Sequence, residues 1–273
     1  MVAFDSCYGI ICLYNHKTII PSITLWNPSI RRKLNVPEIP NFNPFEEYSS
    51  VEFGFGYNPI ADDYNVVGLS YGTTLQALYL YSTKKNAWSQ VDLPEADPPF
   101  KVQSAPCFVD GAMHWVVRNN SPNTNDSYIL TFDLSSRVFG AIPLPSTTRG
   151  TINLSIYEGY LTLLSDDGED SSMWLRKLDD NNNNVASWSK PFKVRYFDVT
   201  DGTRVYKVKK DEQLEVPNKA YNPFTEAFHC TNSCVKYEFD SYMETLALLD
   251  NDNCSTNKET NMFEKILSVF RCL

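Results

Sequence analysis

Between Val51 and Leu144 the chain runs twice through one alternation of apolar and polar positions. The first pass reads FGFGYNPIADDYNVVGLS and then LYLYSTKKNAWSQVDLP. The second reads CFVDGAMHWVV and then YILTFDLSSRVFGAIPLP. Each pass predicts two hairpins. An apolar strand meets a turn, NPIADD or VDG, and a second apolar strand returns. Another strand then ends on a polar knuckle, YSTKKN or FDLSSR. Its successor opens with an aromatic residue, Trp88 or Phe139, and closes on Leu93-Pro94 or Leu144-Pro145. Four strands in about 50 residues, repeated, is the pattern of a blade-like β repeat.

The knuckle recurs outside this stretch. Upstream, ITLWNPSIRRKLNVP carries a strand, the turn at Asn27-Pro28, basic residues and a closing Pro37. Downstream, LSIYEGYLTLLS repeats the short-turn hairpin with Glu158-Gly159 at its tip. MWLRKLDDNNNNVASWSKPFKV then places Trp188 where Trp88 stood, and CVKYEFDSYMETLALL repeats the strand–Asp–strand shape once more. The knuckles fall roughly 45–60 residues apart, a spacing that suits four-stranded propeller blades. The expected fold is all-β, a kelch-like β-propeller of about five to six four-stranded blades with little helix. Residues 1–250 form the propeller and residues 251–273 a polar linker with a short tail. In that tail Met262, Phe263, Ile266, Leu267, Val269 and Phe270 have helical spacing. VRYFDVTDGTRVYKVKK reads as a further hairpin turning at Asp201-Gly202. Trp88, Trp115, Phe132, Phe139 and Trp188 are the expected core aromatics.

Composition supports this pattern. A chain of 273 residues fits one all-β domain. Sixteen Tyr, 16 Phe and 5 Trp against 11 Gly favour strands over helices. The formal net charge of −9 argues against nucleic acid, which asks for a basic stripe. It favours a basic protein partner through long-range steering, or solubility alone. No apolar run reaches the roughly 18 residues of a spanning helix, so no membrane association is expected. Seven cysteines, odd in number and scattered in spacing, read as free thiols of a reducing compartment. The expected location is the cytoplasm, with the nucleus as the alternative. Met1 stands directly against the first strand, from which either a missing preceding segment or a short gene model is expected.

The chemical inventory is thin. The three histidines are His16, His114 and His229. His16 lies in a turn, and His114 precedes Trp115 within a strand. His229 and Cys230 with Cys234 make the sharpest metal-like group, but a closed zinc site needs a second close pair of ligands that the chain does not supply. Strand alternation also explains that spacing. There is no Gly-rich phosphate loop, G-x-S-x-G or H-E-x-x-H. Gly54 and Gly56 within a strand indicate a bulge or a close backbone approach. Asp166 to Asp170 lacks the register of a calcium loop, and Asp62-Asp63 reads as turn chemistry. No cofactor, no metal and no catalytic residue is expected.

In order, LWNPSIRRKLNVP, FGFGYNPIADDYNVV, LYLYSTKKNAWSQVDLP, FVDGAMHWVV and ILTFDLSSRVFGAIPLP resemble the F-box-associated interaction domain of plant F-box proteins over roughly residues 1–250. The resemblance implies a kelch-like propeller that recruits protein substrates to a Skp1–Cullin–F-box ubiquitin ligase. The style is also similar to the S-locus F-box proteins of pollen self-incompatibility, which recognise ribonucleases, that is, basic partners. The family's helical F-box does not appear in these residues, so Skp1 binding is expected only where such a segment precedes them. Family contacts fall on variable loops. The expected contact surface is therefore the polar tips Asn41–Tyr48, Asn119–Asp126, Ser165–Ser172 and Asn181–Asn184, with Asn41, Glu46, Glu47, Asn120, Asp126, Asp166, Asp167, Glu169 and Asn182 as candidate contacts. The alternatives are a glycosidase- or oxidase-like enzyme on a propeller scaffold, which needs carboxylates or ligands converging from several blades, and a plain structural interaction propeller.

Overall fold

The computed structural model describes residues 2–15, 22–40, 50–71, 77–93, 100–119, 127–157, 159–168, 171–178, 186–189, 192–198, 203–208, 227–231 and 255–256. Among them there is no helix. The strands form four antiparallel sheets. The first holds β1 (Val2–Cys7), β2 (Ile10–Asn15), β3 (Ser22–Asn27) and β4 (Arg32–Val36). The second holds β5 (Ser50–Asn58), β6 (Asp63–Tyr71), β7 (Ala77–Ser82) and β8 (Ala87–Val91). The third contains β9 (Phe100–Val102), β10 (Cys107–Val109), β11 (Ala112–Asn119), β12 (Ser127–Asp133) and β13 (Phe139–Pro143). The fourth contains β14 (Thr151–Tyr157), β15 (Tyr160–Asp166), β16 (Ser171–Leu178), β17 (Ala186–Trp188), β18 (Phe192–Asp198), β19 (Thr203–Val208) and β20 (Ala227–Thr231). A last short strand, β21 (Ser255–Thr256), pairs with β4.

Each sheet is a meander, as the alternation predicts. The described residues form four sheets where five to six blades were expected. The repeat expected at 234–249 and the helical tail at 262–270 lie outside the described residues. The hairpin expected around Asp201-Gly202 is present as β18 and β19, paired from Val194↔Val208 to Asp198↔Arg204. No bulge occurs at Gly54 or Gly56, where β5 and β6 stay in register from Ser50↔Tyr71 to Asn58↔Asp63. The bulge lies instead in β1, between Ala3 and Asp5.

Two strands are split by the same device. β9 and β10 lie along one edge of β11, with Gln103–Pro106 between them. Pro106 has no N–H for a ladder. Ser104 Oγ accepts the Val116 N–H at 3.0 Å, and the Gln103 N–H reaches the Val116 carbonyl at 2.8 Å. β17 and β18 share one edge of β16 in the same way, across a Ser189-Lys190-Pro191 sequence. Ser189 Oγ accepts the Leu175 N–H at 3.1 Å, and the Ser189 N–H returns to the Leu175 carbonyl at 2.8 Å. A serine hydroxyl thus satisfies the donor orphaned at each break.

The chain divides into two compact units: residues 1–93 with 235–273, and residues 94–234. In the first, Ile10, Cys12, Ile23, Leu25, Leu34 and Val36 pack against Phe55, Tyr64, Val66 and Tyr81 of the second sheet. In the second, Cys107, Val109, Val116 and Ile129 pack against Leu154, Leu161, Leu163 and Trp174 of the fourth sheet. Trp26, Trp115, Tyr81, Phe55 and Phe132 are the largest fully buried side chains. Trp88, Phe139 and Trp188 are only half-buried, contrary to expectation. They sit in β8, β13 and β17, each paired on one side only among the described strands and made of half-buried and exposed positions.

The two outer tryptophans act as staples. The Trp88 indole N–H donates to the Pro37 carbonyl at 2.7 Å, just past β4. The Trp188 N–H donates to the Pro143 carbonyl at 2.9 Å, at the end of β13. In the first unit the last strand of one sheet is tied to the exit of the other, and in the second the side strand β17 is tied to the exit of β13. Phe139 occupies the matching place in the third sheet. It has no donor, and it packs on Phe132 with ring centroids 4.9 Å apart. Cys12 and Cys107 are buried free thiols and Cys7 is a half-buried one. Burial, helped by the Asp5 charge, pushes the Cys12 thiol well up from its ordinary value.

Candidate protein-interaction surface

In each meander the turns β1–β2, β5–β6, β10–β11 and β14–β15 share one end of their sheet with the knuckle that joins the third and fourth strands. The two kinds of turn have different chemistry. Tyr8-Gly9 and Asp110-Gly111 are two-residue turns with both residues at positive φ, the geometry that matches strand twist in a hairpin. The knuckles have four-residue loops. They run from Asn27 to Arg32, Ser82 to Ala87 and Asp133 to Val138, and the β5–β6 turn, from Asn58 to Asp63, takes the same form. Each places its fifth residue at positive φ: Arg31 at 54°, Asp62 at 51°, Asn86 at 47° and Arg137 at 59°.

The first residue of each knuckle closes it. Asn27 Oδ1 accepts from the Ser29 and Ile30 N–H groups, and Asn58 Oδ1 from Ile60 and Ala61. Asp133 Oδ1 accepts from the Ser135 and Ser136 N–H groups and from the Ser136 hydroxyl. Ser82 Oγ accepts from the Lys85 N–H. Short polar side chains that bond their own backbone favour such turns. Together these bonds, with the Ser136 N–H foremost, hold the Asp133 carboxyl below the usual range, against a smaller opposing push from burial.

Neighbouring aspartates in the second sheet have opposite fates. Asp63 is only 6% exposed. It accepts from Ser82 Oγ at 2.5 Å, Thr83 Oγ1 at 2.7 Å and the Lys84 N–H at 3.0 Å, and so locks the two turns of the sheet together. The Asp62 side chain is 75% exposed. It accepts the Tyr57 hydroxyl at 2.5 Å and faces Lys84 Nζ at 3.1 Å. The Tyr57 hydrogen bond, then Lys84, lower the Asp62 carboxyl, and the same bond raises the Tyr57 phenol.

Around this corner runs an aromatic chain. Tyr8 meets Tyr57 edge-on at 5.2 Å, Tyr57 meets Tyr64 at 5.0 Å, and Tyr64 stacks on Phe55 at 5.8 Å. The Tyr64 hydroxyl donates to the Tyr8 carbonyl at 3.1 Å. Tyr8 is 54% exposed and Ile60 is 84% exposed. The other large apolar side chains exposed among the described residues, Val138 and Tyr160, follow a knuckle and a two-residue turn. Every one of them therefore sits at the turn end of its own sheet.

The polar tips expected from sequence divide differently. Asn119–Asp126 lies between β11 and β12, Ser165–Ser172 between β15 and β16, and Asn41–Tyr48 between β4 and β5 along the chain. Asn181–Asn184 lies between β16 and β17 in the chain and, like Asn41–Tyr48, falls outside the described residues. Of the candidate contacts, Asn41, Glu46, Glu47, Asn120, Asp126, Glu169 and Asn182 lie outside the described residues. Asp166 is 8% exposed, and its Oδ1 accepts the Gly168 N–H at 3.0 Å. Its backbone is backed by Gly150, at φ 72°, where a Cβ would lie 2.1 Å from the Asp166 carbonyl oxygen. The Ser165 hydroxyl donates to the Arg149 carbonyl and accepts the Arg149 N–H. Asp166 thus shapes the loop, while Asp167 faces solvent.

Among the described residues no group of three His, Cys, Asp or Glu could hold a metal ion. His114 is buried, with Nδ1 3.3 Å from the Cys107 carbonyl. The side chains of His229, Cys230 and Cys234 lie outside the described residues.

The described sheets and turns are those of a repeat family. A family model described as the F-box associated beta propeller domain matches residues 1–225. The chain belongs to that family. Its sequence is 26% identical to an F-box/kelch-repeat protein of Arabidopsis thaliana, covering 68% of this chain and 50% of that protein. It is 23% identical to a putative F-box protein of the same plant, covering 96% of this chain and 64% of that one. A further relative, the F-box protein CPR1 of Arabidopsis thaliana, is 23% identical over 79% of this chain and 59% of its own length. The chain thus spans between half and two thirds of the length of these relatives.

Proposed function

We propose that this domain is the substrate-recognition part of a Skp1–Cullin–F-box ubiquitin ligase subunit, binding protein rather than catalysing a reaction. The observation that carries this reading is the family match over residues 1–225, joined to relatives that bear the F-box name. The surface supports it: a rigid hydrogen-bonded scaffold displays isolated tyrosine and aliphatic side chains at its turns, and tyrosine is enriched where proteins meet. On this reading Skp1 is held by an F-box segment and the substrate by the propeller. The net charge of −9 favours a basic substrate, and a ribonuclease, as in pollen self-incompatibility, is the finer form of the proposal. The free thiols of Cys7, Cys12 and Cys107 suit a cytoplasmic setting.

The test is a pull-down in plant extract with this chain alone and with the chain carrying an appended F-box. The expected result is Skp1 capture by the second only, and a shared set of substrate proteins captured by both. Tight Skp1 binding by the chain alone would overturn the division of roles. The absence of any shared captured protein would overturn the recognition role itself.

A further inference from the structure

The corner formed by Tyr8, Tyr57, Ile60 and Asp62 has more specific chemistry than an apolar patch. Tyr57 links its parts: its ring meets Tyr8 at 5.2 Å, and its hydroxyl donates to Asp62 at 2.5 Å. Both Tyr8 and Asp62 are largely open to solvent, and Ile60 is exposed in the same turn as Asp62. An exposed aromatic ring next to an exposed carboxylate and an aliphatic surface matches one side chain in all three respects. A guanidinium stacks on the ring, its N–H groups bond the carboxylate, and its methylene stem covers the aliphatic group.

We propose that this corner is the seat for an arginine presented by a basic segment of a protein partner. The fold builds the seat rigidly. Asn58 closes the turn that carries Ile60 and Asp62, and Asp63, buried behind it, ties that turn to the next one. The Tyr64 hydroxyl fixes the Tyr8 backbone. The carboxylate stays ionised because the Tyr57 hydroxyl and Lys84 both favour the charged form. The contact with Lys84 joins two side chains that are 55% and 75% exposed, so it is weak and can be shared with an incoming cation.

The fourth sheet shows the same chemistry already filled. There Lys177 Nζ lies over the Tyr160 ring at 4.8 Å, and the Arg176 guanidinium lies over Trp188 at 5.8 Å. No described cation covers Tyr8. Among the described residues, one unit meets its outer aromatics with its own cations, and the other has none over Tyr8 near the Asp62 carboxylate. Arginine is favoured over lysine because its planar group can stack and donate in a fork at once.

This inference rests on the recognition role above, but its test reads the seat alone. The full chain is titrated with a fluorescent, end-blocked Gly-Arg-Gly-Arg-Gly peptide and with its lysine and citrulline counterparts. The arginine peptide should bind at least about threefold more tightly than the lysine peptide, and the citrulline peptide least. Tyr8→Ala and Asp62→Asn should each weaken arginine binding by at least about fivefold, while Tyr8→Phe, which keeps the ring, should not. Asn tolerates the positive φ of position 62, so the fold is kept, and unchanged thermal midpoints check this. Equal binding of the arginine and lysine peptides would overturn the proposal, as would unchanged binding in Tyr8→Ala, because either result means diffuse attraction to an acidic surface. Binding lost equally in Tyr8→Phe and Tyr8→Ala would assign the effect to the hydroxyl and overturn the stacked guanidinium. If the seat binds while no substrate is captured, the recognition role fails and the seat stands; the converse sinks the seat alone.

Discussion

The two compact units are built alike and finished differently. Each pairs two meanders around one apolar core, and each staples them with an indole donating to a proline carbonyl, Trp88 to Pro37 and Trp188 to Pro143. At the turn ends they diverge. In the first unit the turns are locked from beneath by the buried Asp63, and the outer face keeps Tyr8, Ile60 and Asp62 open. In the second unit Lys177 and Arg176 already lie over Tyr160 and Trp188. Core and staple specify the blade pair, whereas the residues between the capping positions of a turn can change without disturbing it. Recognition chemistry can therefore reside in one unit while both remain equally well folded.

The largest effect should come from the cores, where the units ought to behave alike. Trp26→Ala in the first unit and Trp115→Ala in the second each remove a fully buried side chain. Each should cost about 3–5 kcal/mol in urea unfolding. A loss below about 1 kcal/mol at either site would break the equivalence and the strand assignment there. The adjacent aspartates sharpen the contrast between frame and surface. Asp63→Asn places an amide N–H₂ among the donors Ser82, Thr83 and Lys84, and should cost about 1–3 kcal/mol. Asp62→Asn should stay within about 0.5 kcal/mol, as exposed substitutions do. Comparable losses from the two would mean that the exposed turn is part of the frame.

The staples predict a smaller, matched pair. Trp88→Phe and Trp188→Phe keep an aromatic ring but delete the N–H, and each should cost about 1 kcal/mol in thermal or urea unfolding. A large cost for one and none for the other would show that the units are held together differently. The last effect is carried by pH. The Asp133 carboxyl is lowered in the folded protein, so its contribution is present above the unfolded value of about 3.9 and is lost as pH falls through the folded one. Asp133→Ala should cost about 1 kcal/mol near neutrality, by analogy with loss of a helix cap. That gap should close in acid, below about pH 4. Asn27→Ala, at the equivalent knuckle of the first unit, should show a gap that does not close, because an amide does not titrate. A pH-independent gap at Asp133 would remove the capping explanation.

Much of the blade was legible before any coordinates. Alternation located the meanders, and Asn27-Pro28, Asn58-Pro59 and Asp133 marked their knuckles, because a short polar side chain must close a turn whose fifth residue adopts positive φ. The matching places of Trp88 and Trp188 were visible as a repeat, but their purpose was not. An indole tied to a carbonyl 51 positions away in one case and 45 in the other is set by how two sheets pack, and period-two alternation says nothing about that. For the same reason sequence treated Trp88, Phe139 and Trp188 as core.

The candidate surface was the least legible part. Polar composition drew attention to the longer polar connections, whereas the exposed apolar residues of the described part lie at the turns. Ile60, inside an otherwise polar turn, was the available signal. By itself the sequence determined the all-β repeat, its turn chemistry and its family, because those follow from local period and local hydrogen bonding. Only the tertiary structure decided which of two adjacent aspartates is buried and which exposed tyrosine a described cation covers. Those fates depend on residues brought together from distant strands, where burial and electrostatics are fixed by neighbours in space rather than along the chain.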